Sequence, residues 1–560
     1  MMSKDWWKKS VVYQVYPQSF KDSNGDGIGD LAGLNEKIAY INKLGADVIW
    51  LNPIYESPLI DNGYDISDYY KINPLFGTLD DFKSLLKSAH DLNIKIIMDL
   101  VVNHTSDQHH WFQESMKNKT NPYADFYIWK DPLADGSPPT NWGSTFGGSA
   151  WEYVPSRNQY YLHLFAKEQP DLNWENPVVR HEVYKIMKYW LDLGVNGFRM
   201  DVISLISKNP SYPNAHDGAV YSKSYYVGAS NGPRVHEFLQ EMNREVLSKY
   251  DCMTVGETPN TNSTQALLYT QSDLKELNMI FQFDHMHLDY GKYGKFSDIR
   301  FKMSDLRATL TEWQQKLDTG WNSLYWSNHD QPRAVSRFGN DERYRIESAK
   351  MLGTLLHMMK GTPYIYQGEE LAMRNVNFHS IEQYKDIETL SVFNNFKQAQ
   401  LDDDYIKKTI YLKSRDNARV PMPWDATEKS GFTSGTPWID FSPDNKFINI
   451  QDTLNDKDSV FYHYKKLIQI RKRYPIVVEG KYELINDTDS DVYGYIRVLG
   501  SEKLIVICSF SENKVNYSLP ENLLNSEAKL LLSNYSDSPD AMTPHLELRP
   551  YEALIYYSER

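Results

Sequence analysis

A chain of 560 residues, 41% of them apolar and 14% aromatic, carries enough hydrophobic side chain for a large core and is too long for one ordinary domain. Its net charge of −14 opposes association with phosphate backbones or anionic lipid, so neither nucleic acid nor a membrane is an expected partner. Two cysteines, Cys252 and Cys508, are too few for a disulfide scaffold and lack the spacing of a zinc site, which favours a reducing compartment. No apolar run reaches the roughly 18 to 20 residues that cross a bilayer. The charged start, Met1 to Lys9, has no signal-peptide apolar region, and a cytoplasmic, monomeric protein is expected.

Short β-rich runs then alternate with longer helical patterns, the signal of βα units that build a parallel sheet buried on both faces. The runs fall at residues 11–17, 46–53, 94–104, 195–202, 252–257, 277–283, 321–330 and 361–369. Eight is the number that closes an α/β (β/α)8 TIM barrel. Between them lie amphipathic helices, such as residues 79–92, where Phe82, Leu85, Leu86 and Ala89 recur at helical spacing.

After the third run the chain fills with Trp, Tyr, Asn, Pro and Gly from about 105 to 173, too long for a plain loop. This predicts an inserted domain over 105–173, with the barrel formed by 1–104 and 174–480. Beyond the helical segment at 461–473 the pattern turns to alternating strands, and residues 481–560 are expected to form an antiparallel β-sandwich.

In such a barrel the active site is built at the C-terminal strand ends. Here those ends read Asp99-Leu100-Val101-Val102-Asn103-His104, Gly197-Phe198-Arg199-Met200-Asp201-Val202, Val255-Gly256-Glu257 and Ser327-Asn328-His329-Asp330. Acids gathered in one barrel mouth cost several kcal/mol to desolvate unless paired or put to use. Glycoside cleavage uses them, one carboxylate at the anomeric carbon and one carboxylic acid at the leaving oxygen, and Asp201 and Glu257 would fill these roles. The many aromatic rings supply flat faces of the kind sugars use.

These four segments resemble those that define the α-amylase superfamily of glycoside hydrolases, and the likeness covers nearly the whole chain. Gln169-Pro170-Asp171-Leu172-Asn173 resembles a signature of its oligo-1,6-glucosidase and α-glucosidase branch. The resemblance implies a retaining, exo-acting α-glucosidase with Asp201 as nucleophile, Glu257 as general acid/base and Asp330 as the acid that stabilises the transition state. Arg199 would keep Asp201 ionised, whereas Glu257 needs a raised pKa. The resemblance further places Asp61, Tyr64, His104, Phe165, Gln169, His329 and Arg415 around the terminal glucose. Asp61 and Arg415 would close the far end, with Arg419 a second candidate for the arginine and Phe146 a further wall residue.

Beside the nucleophile stands Val202, which in this branch goes with α-1,6 linkages where alanine goes with α-1,4. The implied substrates are isomaltose, isomaltotriose and panose. Activity on α-1,4 bonds, glucosyl transfer, sucrose isomerisation and trehalose-6-phosphate hydrolysis are the neighbouring alternatives. His287 and Pro423 depart from residues common in related enzymes, which leaves the acceptor preference open.

One further motif precedes the catalytic segments. Asp22-Ser23-Asn24-Gly25-Asp26-Gly27-Ile28-Gly29-Asp30 sets oxygen side chains at alternate positions around a glycine turn, a pattern suited to a hard cation. The resemblance implies structural calcium or magnesium held by Asp22, Asn24, Asp26, the Ile28 carbonyl and Asp30. No organic cofactor is expected.

Overall fold

The computed structural model describes residues 5–216, 222–223, 228–485, 491–524 and 528–559. All eight β-rich runs contain a strand: β1 Val12–Val15, β2 Val48–Leu51, β3 Lys95–Val101, β4 Gly197–Asp201, β5 Met253–Glu257, β6 Met279–Phe281, β7 Ser323–Leu324 and β8 Thr362–Tyr366. Their sheet order is β6-β5-β4-β3-β2-β1-β8-β7, with every pairing parallel. A bridge from Ile280 to Asn322 joins β6 to β7, and Ser323 Oγ donates to the Ile280 carbonyl at 2.8 Å, which closes the barrel. Strands such as Val48-Ile49-Trp50-Leu51 are buried along their whole length, as strands covered on both faces must be.

β7 is the exception to the expected lengths. It spans two residues, and Asp330 follows in a turn, where the Asp330 amide donates to Asn328 Oδ1 at 2.8 Å. Asx side chains offer the backbone an alternative to the ladder, so the Ser327-Asn328-His329-Asp330 segment leaves the sheet early.

The expected helix forms over Leu79–Asp91 and buries Phe82, Leu85, Leu86 and Ala89. Thr78 and Asp81 form a reciprocal capping box at its start.

Within 105–173 lie the helix His110–Ser115 and an antiparallel sheet of Trp129–Lys130, Gln159–Leu162 and Trp151–Val154. Bridges His104–Asp171 and Tyr127–Leu172 tie this region to the end of β3. A buried pair, Lys208 Nζ to Asp171 Oδ2 at 2.7 Å, ties it to the segment after β4. After β8 the helices Ile387–Gln398 and Asp403–Lys413 pack beside Phe296 and Tyr384 and form the opposite wall of the barrel mouth.

The C-terminal region pairs β9 Lys481–Leu484, β10 Val492–Leu499, β11 Glu502–Ser509, β13 Lys529–Ser533 and β15 Ala553–Ser558 in one antiparallel sheet; β12 Val515–Ser518 and β14 His545–Leu548 form a second. Alternate residues explain the arrangement. Ile505, Ile507, Leu554 and Tyr556 face Tyr517, Leu546 and Leu548 of the small sheet. Leu504, Val506, Cys508 and Ile555 face Met351 and Leu355 of a barrel helix, so the sandwich braces the barrel and lies outside its mouth.

Candidate active site

Arg199 organises the floor of the mouth. Residues i and i+2 of a strand share a face, so Arg199 and Asp201 both point inward from β4, and register places Asp99 of β3 beside Arg199. The Arg199 Nη1 atom lies 2.6 Å from both Asp99 Oδ1 and Asp201 Oδ1, and Nη2 lies 2.8 Å from Glu257 Oε2. Glu257 Oε2 also accepts from the Val202 amide at 2.9 Å. Val202 adopts φ 36° and ψ 41°, a left-handed conformation unusual for a β-branched residue, and this turn aims its N–H at Glu257.

Burial dominates the electrostatics. It pushes Asp201 up to about 7 against the pull of Arg199, and Glu257 up to about 8 against the same guanidinium. Arg199 pulls Asp201 toward its ionised form, but one cation divided among three buried carboxylates does not offset desolvation fully. The order survives, with Asp201 ionising before Glu257. Asp330 behaves oppositely. Burial raises it, but His329, Arg415 and Arg419 more than compensate and hold it below the ordinary carboxylate range. Burial depresses His329 itself to about 3, so near neutrality the two arginines supply that pull.

A pocket of about 400 Å³ opens above this floor, lined by Asp201, Glu257 and Asp330 together with Asp61, Tyr64, His104, Phe146, Phe165, Val202 and Arg415. Its far end is closed by Arg415, whose Nη2 lies 3.1 Å from Asp61 Oδ1 and whose Nη1 lies 3.0 Å from Asp330 Oδ1. Burial raises Asp61 to about 7, partly offset by Arg415. Gln169 and His329 stand one layer behind. Gln169 Nε2 donates to Asp61 Oδ2 and meets His104 Nε2, both at 3.2 Å. His329 stacks on Tyr64 with ring centroids 5.2 Å apart and planes 4° from parallel. Phe146 packs against Phe165 and under the Arg415 guanidinium, at 6.0 and 5.3 Å. Burial lowers His104 to about 4, which favours a neutral ring near pH 7.

The structure adds residues that the sequence reading leaves without a role. Asp99 accepts from Trp50 Nε1 at 2.8 Å and Tyr64 at 3.2 Å besides binding Arg199. Asp386 receives Arg415 Nη2 at 2.8 Å and Arg419 Nη1 at 2.7 Å, so it holds both arginines. Arg415 reaches the pocket; Arg419 lies behind and braces Asp330 at 3.1 Å. At the outer rim Lys295 pairs with Glu388 at 2.6 Å. His287 lines this rim, whereas Pro423 is absent from the lining and its carbonyl accepts from Ile450. Asp386 is readable as a helix cap, since it accepts from the Glu388 and Thr389 amides, but nothing local announces its arginines.

The Asp22–Asp30 loop is built of nested Asx turns. Asp22 accepts from the Asn24, Gly25 and Gly27 amides and from Thr433, Asn24 from the Asp26 amide, and Asp26 from the Ile28 amide. Asp30 binds Ser23 and caps the helix Leu31–Leu44. Among the described residues no three acids, histidines or cysteines gather as a metal-holding group. The side-chain donors of the loop, Asp22, Asn24, Asp26 and Asp30, are nonetheless all oxygen, the chemistry that suits a hard cation.

The family model described as alpha amylase, catalytic domain, matches residues 14–480. The chain belongs to the alpha-amylase family. Within this family of glycoside hydrolases it is 56% identical over 561 residues to an oligo-1,6-glucosidase of Parageobacillus thermoglucosidasius, covering 99% of each chain. A trehalose-6-phosphate hydrolase of Bacillus licheniformis superposes with a TM-score of 0.94 at 49% identity, covering 99% of both chains. An isomaltulose synthase of Klebsiella sp. LX3 superposes with a TM-score of 0.94 at 40% identity, again over 99% of both. The alpha-amylase barrel and the oligo-1,6-glucosidase branch are thus the ones the residues point to.

Proposed function

We propose that this alpha-amylase family member removes single glucose units from the non-reducing ends of short α-1,6-linked oligosaccharides, with retention of configuration. The observation that carries this reading is the ion-paired wall of the pocket, where Arg415 bridges Asp61 and Asp330 beside the three acids, an arrangement that supports capture of a chain end. A carboxylate–guanidinium wall matches vicinal hydroxyls through charge-assisted hydrogen bonds.

Asp201 attacks the anomeric carbon as Glu257 donates its proton to the leaving oxygen; Glu257 then takes a proton from water, which opens the glucosyl ester from the face the leaving group vacated. Asp330, fixed as an anion by Arg415 and Arg419, stabilises the cationic sugar between these steps. Val202 sits beside the acceptor and supports α-1,6 selectivity by its branched bulk.

A neutral acceptor sugar is part of the same reading. Among the described residues lining the pocket, the lysine and arginine, Lys295 and Arg415, are both committed to carboxylates. The unpaired thiols Cys252 and Cys508 support a reducing, cytoplasmic setting, and a monomer is part of the proposal. Among the described residues no helix is long and apolar enough to cross a membrane. A structural calcium or magnesium ion in the Asp22–Asp30 loop belongs to the same reading, supported by its all-oxygen donor set. It would order the loop after β1 and leave the chemistry to the three acids.

Glucose release from isomaltose, maltose, sucrose and trehalose 6-phosphate at matched concentrations tests the reading. Preference for isomaltose with α-glucose as first product is expected. Preference for maltose or for the phosphorylated disaccharide, or isomerisation of sucrose without free glucose, would move the enzyme to a neighbouring activity.

A further inference from the structure

Beyond the sugar-binding end, the pocket rim carries an aromatic surface that the catalytic geometry does not use. Tyr293 lines the mouth yet keeps 38% of its surface exposed, with the Lys292 ammonium 5.1 Å from its ring centroid. Its position is fixed. It sits in the turn Gly291-Lys292-Tyr293-Gly294, closed by reciprocal backbone bonds between Gly291 and Gly294 at 3.0 and 2.9 Å. Gly294 holds a φ of 72°, the left-handed region that favours glycine. On the outer side the ring packs against Phe396 at 5.4 Å and Tyr405 at 6.1 Å, residues of the two helices that form the mouth's outer wall. Val392 and Asn395, on the same helix as Phe396, line the pocket, so this surface is continuous with the catalytic chamber.

We propose that Tyr293, backed by Phe396 and Tyr405, is a distal acceptor subsite that takes the apolar face of a glucosyl unit beyond the one next to the scissile bond. A rigid, pre-placed ring binds a sugar face with little ordering cost. The inference rests on the glucosidase reading above and names the substrate length it favours: oligosaccharides of three or more units over disaccharides.

The test compares kcat/KM for the di-, tri- and tetrasaccharides of the isomalto and malto series in the wild type, Tyr293→Ala and Tyr293→Phe. The quantity read is the ratio of tetrasaccharide to disaccharide, taken in whichever series the enzyme cleaves. The linkage assignment can therefore fail without carrying the subsite with it. In the wild type the longer chain is favoured, Tyr293→Ala lowers the ratio about fivefold, a loss of the size expected for one aromatic contact, and Tyr293→Phe restores it. A ratio unchanged in Tyr293→Ala would overturn the proposal, including the case where that variant alters sedimentation and the surface instead covers a second copy of the chain.

Discussion

Arg199 Nη2 stands 2.8 Å from Glu257 Oε2 while Nη1 of the same guanidinium stands 2.6 Å from Asp201 Oδ1, so one cation is shared by both halves of the proposed catalytic pair. The two acids therefore titrate as a coupled unit, and activity needs the species in which Asp201 is ionised and Glu257 is not. With burial carrying Asp201 to about 7 and Glu257 to about 8, the kcat/KM profile should be a narrow bell between those values. The acid limb follows protonation of the nucleophile and the alkaline limb loss of the acid's proton. A flat profile from pH 5 to 9, as order-of-magnitude bounds around that bell, would contradict the shared-cation account.

Glu257→Gln separates chemistry from stability. Removing the general acid should lower kcat/KM on isomaltose by roughly 10² to 10⁴. An aryl glucoside whose leaving group needs no proton should lose less in its first step. Because the folded state holds this proton more tightly than the ordinary value of 4.5, wild-type stability falls as pH rises from about 4.5 to about 8. Glutamine has no such ionisation. Its melting temperature should gain on wild type across that window, and parallel curves would show that Glu257 is not strained.

The barrel was legible because a parallel strand buried on both faces reads as a continuous apolar run, as in Val48-Ile49-Trp50-Leu51. β7 was the poorest case, since Trp321 and Trp326 extend an apolar pattern that the backbone leaves after Leu324. Arg199 and Asp201 share a strand face by period alone, but Asp99 joins them only through register. Asp386 pairs with Arg415 and Arg419, about 30 residues on, by tertiary packing that no local pattern encodes. The left-handed Val202 was equally invisible, because its residue type argues against that conformation.

Val202 offers a second separation. Val202→Ala keeps the amide that holds Glu257, so the alkaline limb of the pH profile should stay where it is. Trimming two methyl groups beside the acceptor should shift the isomaltose-to-maltose ratio of kcat/KM by about tenfold toward maltose. Side-by-side kinetics check this, and a ratio that holds steady would remove Val202 from the selectivity argument.

The far wall should respond as a network. Arg415→Ala leaves Asp61 buried without its cation and Asp386 with Arg419 alone, and breaking a buried pair of this kind costs about 3 to 5 kcal/mol. Activity should fall through both KM and kcat, because Asp330 also loses a partner. Asp386→Asn leaves Arg415 its bonds to Asp61 and Asp330, so it should be milder, and in the double variant the two losses should be well short of additive. Additive losses in urea unfolding would mean the two residues act independently.

The Asp22–Asp30 loop permits a test that does not depend on turnover. If it holds a cation, calcium or magnesium at about 100 times Kd should stabilise the fold by about 2.7 kcal/mol, and a chelator should reverse this. Asp26→Ala should abolish the response, because Asp26 accepts one bond from the Ile28 amide and its carboxylate lies at the exposed side of the loop. Asp22 is the poorer choice for that variant: its carboxylate also holds the Gly25 and Gly27 amides, so its loss would unravel the turn with or without a metal. Thermal unfolding of wild type and Asp26→Ala, each with calcium, magnesium and chelator, decides the matter. Equal melting temperatures in all three conditions would make the loop a self-sufficient Asx-turn structure.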